Sequence, residues 1–125
     1  MKIDPNARYL ASHEWARPEG DLYVVGVSDD AQEELGDVVF VDLPKPGATF
    51  SRGEVFGVIE SVKAANDLYC PVGGEVVAVN TELGAHPESV NQDPYGAGWL
   101  IKVKPSDPAD WEALVTAVAY GQDHP

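Results

Sequence analysis

The strongest constraint on the fold is a succession of short β-branched and aromatic runs, each closed by glycine, proline or a polar cluster before it reaches the length of a stable helix. Leu22-Tyr23-Val24-Val25-Gly26-Val27, Val38-Val39-Phe40-Val41, Ala48-Thr49-Phe50, Val55-Phe56-Gly57-Val58-Ile59, Leu68-Tyr69-Cys70, Val76-Val77-Ala78-Val79 and the stretch from Trp99 to Lys104 all have this form. These residue types favour pleated backbone, and Pro44-Lys45-Pro46-Gly47 ends one run because proline has no N–H to give a sheet interior. The spacing predicts an all-β sandwich or barrel, since βαβ units would need longer helical crossovers between strands. Gly36-Asp37-Val38, Gly53-Glu54-Val55 and Gly74-Glu75-Val76 form a faint echo of the kind a small sheet with quasi-symmetric halves would produce; it is too short to prove a repeat.

Helical signals are few. Ser28 can cap a helix over residues 29 to 35, with Asp29 and Asp30 in the first turn, where the helix dipole favours acids, and Gly36 as the stop. Pro87 can start a short helical turn, and residues 91–98 form a turn-rich loop. Near the C-terminus, Asp107 as N-cap, Pro108 at the first position and Asp110 at the third predict a helix whose Trp111, Leu114, Val115 and Val118 recur at i, i+3, i+4 and i+7. That stripe should pack back on the sheet. At 125 residues the expectation is one domain spanning 1–125 with one modest core.

Charge and cysteine usage narrow the function. A net charge of −13 repels nucleic-acid phosphates and anionic membrane surfaces and favours basic protein partners, although an acidic surface also serves plain solubility. The lone Cys70 excludes an internal disulfide and fits a reducing compartment. Residues 1–6 show neither an apolar signal core nor an Arg/Ser-rich amphipathic stretch, and no apolar run reaches membrane-spanning length, so a cytoplasmic protein is expected. His13, His86 and His124 have no metal-ligand spacing, and no metal site is expected.

The chemistry concentrates between residues 55 and 69. Two apolar runs flank Glu60-Ser61-Val62-Lys63-Ala64, so Lys63 should project into solvent from the tip of a hairpin. That geometry suits ligation of a group to the amine, because a modifying enzyme must reach the nitrogen and read a defined backbone shape around it; most lysines, however, are simply exposed. Cys70, followed by Pro71 on a strand, reads as a packing residue before it reads as a nucleophile.

Glu60-Ser61-Val62-Lys63-Ala64 with Pro71-Val72-Gly73-Gly74-Glu75-Val76 resembles the lipoylation hairpin of the glycine cleavage H-protein family. The likeness extends to Ser12-His13-Glu14-Trp15, Gly36-Asp37-Val38-Val39-Phe40-Val41, Val90-Asn91, Asp93-Pro94-Tyr95-Gly96, Gly98-Trp99-Leu100-Ile101 and Ser106-Asp107-Pro108, and so covers nearly the whole chain. It implies a mainly β, lipoyl-domain-like barrel-sandwich hybrid of short antiparallel strands with two helices, in a carrier that is not itself an enzyme and is monomeric when isolated.

In that family the lysine at position 63 would carry lipoic acid in amide linkage, with Glu60, Ser61, Val62 and Ala64 forming the shape a lipoate-attaching enzyme recognises. The arm would take an aminomethyl group from a pyridoxal-phosphate glycine decarboxylase, pass its carbon to tetrahydrofolate on an aminomethyltransferase, and be reoxidised by the flavin enzyme dihydrolipoamide dehydrogenase with NAD. Ser12, Glu14 and Asp67 would line a cleft for the loaded arm, the two carboxylates pairing with its ammonium and Ser12 accepting a hydrogen bond. Many family members have serine where this chain has Cys70.

Three rivals stay open. A biotin carrier has a similar hairpin, but its lysine sits between methionines, and here Val62 and Ala64 flank Lys63 while Met1 is the sole methionine. An enzyme would need a nucleophile, base and orienting group, for instance Cys70 with a histidine and a carboxylate, and no spacing supports one. A lipoyl relay in lipoate metabolism would keep the modified lysine but has less need of paired carboxylates.

Overall fold

The computed structural model describes residues 2–123; Met1 and His124, weighed above, lie outside the described residues, as does Pro125. Strands β1 (Arg8–Tyr9), β2 (Glu14–Glu19) and β3 (Leu22–Val27) lead into helix α1 (Asp29–Leu35). Next come β4 (Val38–Asp42), β5 (Thr49–Phe50), β6 (Val55–Ser61), β7 (Ala65–Tyr69) and β8 (Gly74–Val79). A 3-10 turn (Thr81–Gly84), α2 (Ser89–Gln92), β9 (Ile101–Pro105), α3 (Ala109–Glu112), β10 (Val115–Thr116) and α4 (Ala117–Asp123) complete the order.

The strands form a seven-stranded sheet in the order β10-β1-β2-β3-β9-β8-β5 and a three-stranded sheet in the order β4-β6-β7, with every pairing antiparallel. The main core lies between them: Val25, Val27, Val76, Ile101 and Val103 from the larger sheet meet Phe56, Ile59 and Leu68 from the smaller. This is the barrel-sandwich hybrid that the family resemblance implies, and it belongs to the all-β class that the spacing of short runs predicts. Strand β3 is buried on both faces, because Val24 packs away from that core against Tyr9, Trp15 and Tyr120, and its nearly unbroken apolar sequence follows from having no solvent side. No described helix is long and apolar enough to cross a membrane.

Most of the expected elements appear where their chemistry placed them. Ser28 caps α1, its Oγ accepting the Ala31 N–H at 3.1 Å, and Gly36 ends the helix at φ +74°. The C-terminal segment differs. Instead of one amphipathic helix from residue 108, it holds a single turn, α3, then two extended residues and a second short helix, α4. Asp107 does accept the Ala109 N–H at 2.9 Å, as a cap should, but β-branched Val115 and Thr116 pair with Tyr9 and Arg8 to extend the larger sheet. Pairing supplies those backbone groups with partners that a helix would otherwise have provided, and it points Leu114 at Ala16 and Val72. The expected stripe is thereby split, and Val118 is left 73% exposed.

Trp15 fixes the start of β2. Its ring lies over Gly26, the residue paired with it on β3, and its indole N–H donates to the Val27 carbonyl at 2.9 Å. A Cβ on Gly26 would sit about 2.5 Å from the ring. Gly26→Ala should therefore destabilise the protein by about 1–3 kcal/mol, the usual cost of overpacking. Denaturant unfolding should show a lower midpoint with an unchanged m-value.

Candidate functional site

The turn joining β6 and β7 is organised by Ser61. Its N–H donates to the Ala64 carbonyl at 2.8 Å, and its Oγ accepts the N–H groups of Lys63 and Ala64 at 3.2 and 3.3 Å. Three residues are thus held in a tight loop with Lys63 exposed at its apex. The lysine Nζ donates to the Glu34 carbonyl at 3.2 Å, near the C-terminal end of α1, and forms no ion pair among the described residues. α1 has no basic residue in its own last turn, so the ammonium lies where the helix dipole favours a cation.

Helix α1 is fixed from behind by Asn91. The Asn91 amide donates to the Gly36 carbonyl at 2.7 Å, and its oxygen accepts the Val38 N–H at 2.9 Å, tying the helix end to β4. Between this pinned helix and the β6-β7 hairpin lies a cleft of about 690 Å³, within the roughly 300–1,000 Å³ typical of small-molecule sites. Ala31, Leu35, Ile59 and Leu68 give it apolar walls. Ser12, Glu14 and Asp67 add polar groups, while Ser61, Lys63 and Ala64 belong to its rim.

Glu14 is the unusual member. The residue is only 2% exposed, yet it is a carboxylate in the wall of an open cleft. Oε1 accepts the Ser12 hydroxyl at 2.5 Å and Oε2 accepts the Tyr69 N–H at 2.8 Å, so one side chain joins β2 of the larger sheet to β7 of the smaller. Burial raises its pKa above the ordinary carboxylate range, and the two hydrogen bonds pull the other way without overcoming it. No cation pairs with it among the described residues. Asp67 sits on the same wall, exposed, opposite Val58 in the hairpin.

Of the residues read from sequence, Ser12, Glu14, Ser61, Lys63, Ala64 and Asp67 share one cleft. Glu60 and Val62 do not line it: Glu60 pairs with Phe40 on β4, and Val62, whose N–H donates to the Asp37 carbonyl, stands beside the tip. Ser12 uses its proton on Glu14 and keeps lone pairs for accepting.

Sequence reasoning did not find His13 or the apolar wall. His13 lines the cleft at φ +81°, with Nδ1 2.7 Å from the Tyr120 hydroxyl, which is in turn 2.8 Å from the Ser28 Oγ. A positive φ is uncommon for a residue with a Cβ, and a partner 107 positions away leaves no local trace. Cys70 is fully buried, its thiol pushed up to about 12 by desolvation, and it donates to the Val72 carbonyl; that is a packing residue and a poor nucleophile. No group of three or more His, Cys, Asp or Glu side chains able to hold a metal occurs among the described residues.

Comparison with known proteins agrees with this geometry. A family model described as glycine cleavage H-protein matches residues 7–124. The glycine cleavage system H protein of Bacteroides fragilis is 54% identical over 120 residues, covering 96% of this chain and 95% of the relative. That of Neisseria meningitidis serogroup C is 55% identical over 119 residues, covering 94% of this chain and 93% of the relative. The crystal structure of the glycine cleavage system H protein from Mycobacterium marinum superposes with a TM-score of 0.87 at 42% identity, covering 97% of this chain and 98% of that one. On sequence and fold together, this chain belongs to the glycine cleavage H-protein family.

Proposed function

We propose that this chain is the lipoyl carrier of a glycine cleavage system, with lipoic acid attached in amide linkage to Lys63 and its aminomethyl cargo sheltered by Ser12, Glu14 and Asp67. Membership of the family supports the carrier role. The observation that carries the residue assignment is the juxtaposition of an exposed amine on a tight turn with a buried carboxylate in the adjoining cleft that no cation pairs among the described residues. The partners would be a pyridoxal-phosphate glycine decarboxylase, a tetrahydrofolate-dependent aminomethyltransferase, dihydrolipoamide dehydrogenase with FAD and NAD, and a lipoate-attaching enzyme.

The lipoyl group, when bound, supplies the dithiol redox and carbon-carrying chemistry. What this chain supplies is position and shelter. Ser61 shapes the turn so that the Lys63 amine is reachable, and amide formation would cancel the ammonium charge that draws it to the Glu34 carbonyl. The apolar walls formed by Leu35, Ile59 and Leu68 suit a hydrocarbon arm and limit water around it. Glu14 and Asp67 would hold the ammonium of the cargo, with the Ser12 oxygen accepting a further hydrogen bond.

Desolvating Glu14 costs stability in the empty protein, which a cation arriving beside it would recover. A plain lipoyl relay has no use for that cost, and for this reason aminomethyl transport is the better reading. Keeping a buried carboxylate is otherwise poor design, since an unpaired buried charge is among the least favourable groups in a protein interior.

Three outcomes are expected. Lys63→Arg, which keeps the charge but cannot be acylated by the ligase, should reduce reconstituted glycine decarboxylation to background with an unchanged melting temperature, and intact mass should show no adduct. Glu14→Gln should speed loss of the cargo about 10–100-fold, the equivalent of one charge-assisted hydrogen bond of roughly 1.5–3 kcal/mol, measured as decay of the loaded carrier.

The pH dependence follows from the raised pKa of Glu14. A carboxyl group that is more easily protonated folded than unfolded contributes most below its unfolded pKa, and that contribution is lost as pH rises through the folded value. Relative to Glu14→Gln, the unloaded wild-type protein should therefore gain stability as pH falls toward the ordinary carboxylate range. Its grip on the cargo should weaken over the same interval. Paired thermal melts and decay rates between neutral pH and pH ~4 would check both signs.

A further inference from the structure

The loop that carries Ser12 and Glu14 into the cleft is held by a residue from the far end of the chain. Residues 10–13 join β1 to β2, and the turn is closed by the His13 N–H donating to the Leu10 carbonyl at 2.9 Å and the Leu10 N–H donating to the Glu14 carbonyl at 2.8 Å. His13 lies between the two cleft residues at φ +81°, a backbone region that a residue with a Cβ occupies only where its surroundings hold it there. Two contacts help to do so. The His13 carbonyl accepts the Ser28 N–H at 2.9 Å, and the imidazole Nδ1 lies 2.7 Å from the Tyr120 hydroxyl.

Tyr120 reaches this place because the C-terminal segment is broken by a strand. β10 pairs with β1, Val115 opposite Tyr9 and Thr116 opposite Arg8, and α4 follows directly, with the Thr116 hydroxyl oxygen accepting the Ala119 N–H at 3.3 Å. The Tyr120 ring then stacks on Tyr9, with centroids 4.2 Å apart and planes 9° from parallel. Its hydroxyl, which is also 2.8 Å from the Ser28 Oγ, has one proton for these two neighbours, so it donates to one and accepts from the other. Ser28 caps α1, and Asp30 in the first turn of that helix has an oxygen 3.8 Å from the same imidazole nitrogen. One buried phenol therefore ties the β1-β2 loop to the helix whose Ala31 and Leu35 wall the cleft.

We infer that Tyr120 is a positioning residue for the cargo: by holding His13 in its left-handed conformation, it keeps Ser12 and Glu14 turned into the cleft. This rests on the carrier reading above. Tyr120 is 2% exposed, so it acts on the cargo only through the residues it touches. Without the hydroxyl the loop is free to relax toward ordinary backbone angles. Ser12 and Glu14 are the neighbours of His13 on either side, and a rotation there re-aims both, loosening the Glu14 bonds to the Ser12 hydroxyl and the Tyr69 N–H.

The test uses full-length, lipoylated Tyr120→Phe, which keeps the stack on Tyr9 and loses only the hydroxyl. Its loaded form should lose cargo about 3–10-fold faster than wild type, the equivalent of one neutral hydrogen bond. In the Glu14→Gln background the same substitution should change the decay little, because the carboxylate being aimed is already gone. His13→Ala should match Tyr120→Phe, while His13→Asn, whose Oδ1 takes the position of Nδ1 and whose backbone tolerates positive φ, should keep most of the wild-type residence. In the unloaded carrier, Tyr120→Phe should speed hydrogen exchange at the Ser28 and Tyr69 N–H groups, which donate to His13 and Glu14. Leu83→Ala, a core cavity in the 3-10 turn, reports the effect of lost stability alone, and its cargo should decay at the wild-type rate.

A wild-type decay rate in Tyr120→Phe overturns the proposal. So does an equal acceleration with and without the Glu14 carboxylate, which would show the tyrosine acting independently of it. Faster decay in Leu83→Ala, matching that of Tyr120→Phe, would make loss of stability the cause and overturn it as well. If the wild-type protein cannot be lipoylated or loaded, or if Glu14→Gln keeps its cargo as wild type does, the carrier reading itself fails. If both behave as expected and Tyr120→Phe matches wild type, only the positioning role fails.

Discussion

The site depends on a single carboxylate placed across a seam. Glu14 begins β2 in the larger sheet, yet one of its oxygens accepts a backbone N–H from Tyr69 in the smaller. Burial raises the pKa of that group although two donors hold it, and no cation pairs with it among the described residues. Both consequences have a use if the group entering the cleft brings a cation. Bringing the sheets together at this point also sets the distance between the hairpin carrying Lys63 and the loop carrying Ser12 and His13.

Around that carboxylate the fold fixes the surroundings from several directions. Asn91 pins the end of α1 to β4, and Ser28 caps its start. The Tyr120 hydroxyl lies within hydrogen-bond distance of both Ser28 and His13, and its ring stacks on Tyr9 with centroids 4.2 Å apart. The last helix thereby holds the loop that presents Ser12 and Glu14. A cleft held from several directions beside an exposed lysine would suit a tethered-arm carrier, in which the attached group moves between enzymes and the shelter stays in place.

The hairpin adjoins a cleft with apolar walls and carboxylates on its β7 side, and the exposed Phe40 of β4 lies across from Glu60 on its other strand. A net charge of −13 favours basic partners over nucleic acid or anionic membranes.

What the sequence determined by itself was local: Leu22–Val27 as a strand, Asp29–Leu35 as a helix between Ser28 and Gly36, and Lys63 at a turn between two apolar runs. Each of these rests on neighbours a few residues apart, whose chemistry is legible in order. The likeness of its motifs to the glycine cleavage H-protein family pointed to Ser12, Glu14 and Asp67, but their number and spacing gave no geometry. Only the tertiary structure decided that Glu14 is buried and bound to Tyr69, that His13 is held by Tyr120, and that Val115–Thr116 leaves its predicted helix to pair with β1. The reason is physical: these are contacts between residues far apart in the chain, and an edge strand waiting for a partner outweighs a helical pattern that the same residues satisfy only locally.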